Sequence, residues 1–95
     1  MTTRVKGSEI IERIQGDLAD RIGDQMHLRA NLGRSKTIEA VGVLEQAHPR
    51  IFILRVPEDG RDRRLSYSYA DLLTKTVALT EVETQASLLP WLETS

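Results

Sequence analysis

At 95 residues the chain holds one modest core, because a domain this small buries only about two-thirds of its unfolded surface, and a second independent core is excluded. With 40% hydrophobic and 28% charged residues it has an ordinary globular composition, and the absence of cysteine excludes disulfides, thiolate metal sites and a cysteine nucleophile. The net charge of -1 hides a gradient: residues 1–20 carry 3 basic and 4 acidic side chains, residues 21–75 carry 10 and 7, and residues 76–95 carry 0 and 3. The middle is mildly basic, short of the stripe of a dedicated nucleic-acid domain.

Ser8 followed by Ile10, Ile11, Ile14, Leu18 and Ile22 places an apolar stripe at helical spacing, with a serine set to cap the first turn and Glu9 near the positive helix end. The pattern predicts an amphipathic helix over about residues 8–21, which Gly23 stops. The period then falls to two. Met26, Leu28 and Ala30 alternate with Gln25, His27 and Arg29 as a half-buried first strand. Turn formers fill Asn31 to Ser35, and Thr37 to Leu44 reads as a second strand with Ile38, Ala40, Gly42 and Leu44 on one face. Gly42 in mid-strand points to a bulge or sharp bend. Gln46 to Pro49 makes a turn, and Ile51 to Val56 is apolar on both faces, as in a central strand covered twice.

Pro57-Glu58-Asp59-Gly60 is a strong turn signal. Arg63 to Tyr69 alternates again, with Leu65, Tyr67 and Tyr69 on one side, as a fourth strand. A single helical turn over Tyr69 to Leu73 and a fifth strand over Thr76 to Leu79 complete the order. Five short strands joined by tight turns predict a mainly β fold, a small five-stranded antiparallel barrel over residues 24–80 with the amino-terminal helix packed on it. All of residues 1–95 form one domain, and residues 81–95 are a tail without clear period. Apolar runs such as Ile51 to Leu54 fall far below the roughly 20 residues that span a bilayer, and no apolar stretch near Met1 resembles a secretory signal. A cytoplasmic protein without membrane contact is expected.

The chemistry is sparse. His27 and His48 lie on different elements with no second ligand at a metal-binding spacing, and Ser66 and Ser68 read as outward strand serines. Asp71 reads as a helix cap. Gly33-Arg34-Ser35-Lys36-Thr37 joins a glycine, two cations and two hydroxyls, a set able to hold an oxyanion through backbone N–H groups and charge. Its spacing is not that of a phosphate loop, and a strand follows it where a phosphate loop leads into a helix. Tyr67 and Tyr69 on one strand face form either barrel core or a base-stacking platform.

The stretches Leu28 to Glu39 and Ser66 to Thr74 resemble the bacterial Veg family, small proteins associated with stimulation of biofilm formation. The resemblance runs from about Gly23 to Leu79, including Gly42-Val43-Leu44-Glu45 and Thr76-Val77. It implies an amino-terminal helix on an SH3-like, Sm-like barrel, no catalytic residues, no cofactor, and a regulatory role that raises matrix-gene expression by opposing a transcriptional repressor. Arg29, Asn31, Gly33, Arg34, Lys36 and Thr37 carry over from the family's loop.

The leading expectation is therefore a non-enzymatic regulator acting through protein contacts. The alternative is a small-barrel nucleic-acid binder using Arg29, Arg34, Lys36 and the Tyr67/Tyr69 face. A homodimer is expected too, because Ile10, Ile14 and Leu18 on the helix and Leu88 and Trp91 in the tail are more apolar surface than one small barrel readily hides.

Overall fold

The computed structural model describes residues 7–33 and 35–93. Helix α1 (Gly7–Ala19) leads into strands β1 (Gln25–Asn31), β2 (Thr37–Ala47), β3 (Ile51–Glu58) and β4 (Arg61–Ser68). Helix α2 (Tyr69–Leu73), strand β5 (Val77–Glu81) and a last turn, α3 (Pro90–Glu93), follow. All strand pairs are antiparallel, in the order β4-β3-β2-β1-β5. β4 and β5 are the two ends of this order and do not pair, so the expected barrel is an open sheet. The reason is α2, which joins β4 to β5 and packs against both, so that side chains fill the space that closure would have removed.

The amino-terminal helix is shorter than its apolar stripe. Ile14 and Leu18 are buried, but α1 ends at Ala19, and Ile22 lies in the following turn, 50% exposed. Gly23 provides the expected stop at φ 95°, and its N–H donates to the Leu44 carbonyl at 2.8 Å, tying the turn to β2. The Ser8 side chain lies outside the described residues. In β1 the alternation holds, with Met26, Leu28 and Ala30 fully buried.

β2 runs past the expected turn to Ala47, and its register on β3 shifts between Leu44 and Gln46. The bulge is at Glu45, not at Gly42. Leu44-Glu45-Gln46-Ala47 has two polar residues in a row; the extra residue leaves both outside and returns Ala47 to the face where it pairs with buried Phe52. Gly42 has another task. A Cβ there would lie 2.5 Å from the Arg55 carbonyl oxygen and 2.9 Å from a Val56 methyl, so β3 approaches as closely as a bare backbone permits.

β3 is covered on one face only. Phe52 and Leu54 are fully buried, whereas Ile51 is 38% exposed and Ile53 and Arg55 are half-buried. Asp59 and Gly60, with φ of 48° and 79°, form the two-residue turn into β4. Pro57 belongs to β3. The fourth strand stops at Ser68, and Tyr69 opens α2. Ser68 caps α2: its hydroxyl accepts from the Asp71 N–H at 3.2 Å, while the Asp71 carboxylate accepts from the Ser68 N–H at 3.3 Å. The described part of the tail packs on the core, where Leu88 and Leu89 are buried.

Two glycines predict opposite outcomes in urea unfolding. Gly42→Ala should cost about 1–3 kcal/mol, since a backbone carbonyl cannot swing away from the new methyl. Gly16→Ala, in mid-helix with nothing within 4 Å, should stabilise by about 1 kcal/mol.

Candidate functional site

The expected anion loop is the β1–β2 hairpin tip. Three of its backbone donors are engaged within the loop: the Gly33 N–H donates to Asn31 Oδ1 at 3.1 Å, the Lys36 N–H to the Gly33 carbonyl at 2.7 Å, and the Leu32 N–H to the Lys36 carbonyl at 2.8 Å. Gly33, at φ 94°, takes the left-handed turn this closure needs. Those three N–H groups are therefore not offered to an anion. Lys36 is exposed, and Arg34 lies outside the described residues.

Arg29, Asn31 and Thr37 come together on the outer face, where they line a shallow groove of about 220 Å³ with Lys75, Thr76 and Ala78. Lys75 and Thr76 went unread in the sequence because only the pairing of β5 with β1 brings them there; the Asn31 N–H donates to the Thr76 carbonyl at 2.7 Å. Arg29 also walls a neighbouring groove of about 510 Å³ that includes His27, Glu39 and Thr80. There Glu39 sits 3.3 Å from His27 Nε2.

The tyrosines are elsewhere. Tyr69 is fully buried, its ring stacked on Phe52 at 6.0 Å and its hydroxyl donating to the His48 carbonyl. Burial raises its pKa, so it remains a neutral donor. Tyr67 is half-buried with its ring 6.3 Å from Phe52. A joint stacking face is therefore replaced by core packing, because Tyr69 leaves the strand for α2.

Three arginines of β3 and β4, Arg55, Arg63 and Arg64, face carboxylates. Arg64 Nε donates to Glu45 Oε1 at 2.7 Å, with its second nitrogen 3.4 Å from Oε2. Arg55 lies 3.9 Å from both Glu45 and Asp62, and Arg63 lies 3.6 Å from Glu58. The hydrogen bond from Arg64 holds the Glu45 carboxyl below its ordinary pKa against a smaller desolvation effect.

The surfaces expected to form a dimer interface join the chain's own core. Ile14, Leu18 and Leu88 are buried, and Ile10 is partly so. Trp91 docks on α1, its Nε1–H donating to Asp17 Oδ2 at 2.7 Å and its ring lying 4.1 Å beneath the Arg13 guanidinium. The apolar surplus that motivated a dimer is thereby absorbed. On the other side of α1 lies a groove of about 470 Å³, with Ile11, Pro49 and Ala70 as its apolar floor and Glu12 and Arg50 at its rim.

Among the described residues no group of three or more His, Cys, Asp or Glu could hold a metal ion, and no helix is long and apolar enough to cross a membrane. Fold and surface define a small antiparallel sheet protein with a docked helix and shallow grooves. The family model of the biofilm formation stimulator VEG matches residues 9–80, and the chain belongs to that family. The match takes in α1 from Glu9, β1 to β4, α2 and most of β5. No curated protein matches the chain closely enough to add a relative.

The Glu45 pair predicts an acid-side signature. Its folded pKa lies below the ordinary value of 4.5, so the unfolded chain takes up the proton first as pH falls. The pair's contribution is complete above the ordinary value and disappears through the lower folded one. Urea midpoints measured from about pH 6 to pH 3 should fall less steeply for Glu45→Gln than for the parent.

Proposed function

We propose that the chain is a non-enzymatic cytoplasmic regulator that promotes biofilm matrix expression by binding a protein, a transcriptional repressor being the partner the family's role points to. The observation that carries this reading is the family match over residues 9–80, which contains every residue lining the α1–α2 groove. An apolar floor between opposite charges suits a partner side chain better than a phosphate backbone. The arginines near the second turn support it too, since Arg55, Arg63 and Arg64 already face carboxylates.

A second reading, nucleic-acid binding through Arg29, Arg34 and Lys36, draws on one observation: Arg29 and Lys36 have no ion pair among the described residues. Tyr69 no longer contributes to it.

One experiment separates the two. Tagged protein would be used to capture partners with and without nuclease, and the affinity of the captured repressor measured across salt. The protein reading expects nuclease to change nothing and Glu12→Ala with Arg50→Ala to weaken binding about tenfold at unchanged melting temperature, as exposed charges add little stability. If binding were to about three phosphates, raising salt from 50 to 200 mM would cost roughly 30- to 50-fold. Nuclease sensitivity with Arg29→Ala and Lys36→Ala as the damaging pair would replace the first reading with the second.

A further inference from the structure

The two ends of the sheet are finished differently. Along β5 the tail returns as an isolated antiparallel bridge: Thr80 bridges to Ser87, the Leu88 N–H donates to the Leu79 carbonyl at 3.1 Å, and the Glu81 N–H donates to the Ala86 carbonyl at 2.9 Å. Along β4 no described residue pairs with the outer side, and the strand is eight residues long. An open edge of that length is a template for another strand unless its side chains forbid it.

The phase of the edge can be read. Arg50 continues the β3–β4 register opposite Tyr69, and the Tyr69 N–H donates to the Arg50 carbonyl at 3.1 Å. Odd-numbered residues of β4 therefore turn their backbone groups toward β3. The even ones, Asp62, Arg64 and Ser66, turn theirs to the free edge, as does the Ser68 carbonyl, while the Ser68 N–H is taken by the Asp71 carboxylate. Leu65 sits between, half-buried on the core face.

We propose that β4 pairs antiparallel with β4 of a second copy about a two-fold axis at Leu65, joining two sheets into one. In this register Leu65 faces Leu65, Arg63 faces the Tyr67 ring, Arg64 faces Ser66 and Asp62 faces Ser68. No like charges oppose each other. Sliding toward the turn sets Arg64 on Arg64 or Arg63 on Arg63, which is unfavourable. Sliding the other way shortens the ladder. The arginines bring their own counter-charges, Glu45 for Arg64 and Glu58 for Arg63, so the edge is less repulsive than its sequence reads. This contact lies at the opposite end of the sheet from β5 and the tail bridge.

The test uses the full chain, which has no cysteine of its own. Leu65 stands at a pair without backbone hydrogen bonds, where facing Cα atoms approach to about 4.5 Å and a disulfide fits. Under mild oxidation Leu65→Cys should give mostly the two-chain species, and Ser66→Cys, which faces Arg64, should give little. Ser66→Pro removes an N–H that the monomer's own sheet does not use, so it should keep the β-sheet circular dichroism while light scattering falls from two chain masses to one. A parent that stays at one chain mass at the highest attainable concentration overturns the proposal. So does equal cross-linking at positions 65 and 66, or a folded Ser66→Pro chain that keeps two masses.

Discussion

Tyr69 is the fastening on which the rest of the structure depends. It stands where β4 must end, and three contacts hold it: its N–H on the Arg50 carbonyl, its hydroxyl on the His48 carbonyl and its ring on Phe52. Each reaches the β2–β3 turn or the strand after it. A fully buried aromatic ring contributes several kcal/mol at most, yet its position is worth more than its area. With the ring in the core the backbone cannot continue along β3, so it turns inward under the Ser68 and Asp71 capping box. The resulting α2 keeps β4 and β5 apart.

An open sheet has two edges, and the chain treats them unequally. Trp91 carries the tail back to α1 through the Asp17 hydrogen bond and the Arg13 stack, while Leu88 and Leu89 enter the core that α2 leaves unfilled. One docking event therefore buries apolar tail residues, seats Trp91 against Arg13 and Asp17 of α1 and shields the β5 edge. β4 receives no such cover. Its residues must answer for the edge themselves, and the alternation of charge, serine and leucine along it decides what can pair there.

Much of the fold was legible where one face of an element is wet and the other dry. β1 shows alternation in its residues and in its burial, because His27 and Arg29 point outward along its whole length. β3 misleads because Ile51 and Ile53 are apolar on a face that is only half covered. Tyr69 continues the period of two by coincidence, and the signal that could have moved it was Ser68 three residues before Asp71, a capping pattern. Closure was beyond reach, since periodicity gives faces and not neighbours. For the same reason Arg29, Asn31 and Thr37 were readable as a hairpin set, while Lys75 and Thr76 entered only through the strand order. The helix and tail stripes were read as an interface with a second copy, and in the structure both are taken up by the chain's own core.

The charge pattern follows from one misfit in the strand period. Leu44 and Ala47 both belong inside, with two polar residues between them, and a regular strand would place Gln46 against Phe52. The bulge resolves this by giving Glu45 a position of its own, from which its carboxylate reaches Arg55 and Arg64 together. A backbone irregularity that keeps glutamine out of the core thus also gives Arg55 and Arg64 a shared carboxylate. The cations without an ion pair in the described β1–β2 hairpin, Arg29 and Lys36, then lie away from it. A formal charge near zero thus divides unevenly, with Arg55, Arg63 and Arg64 facing carboxylates on the β3–β4 side and Arg29 and Lys36 without an ion pair among the described residues of the hairpin.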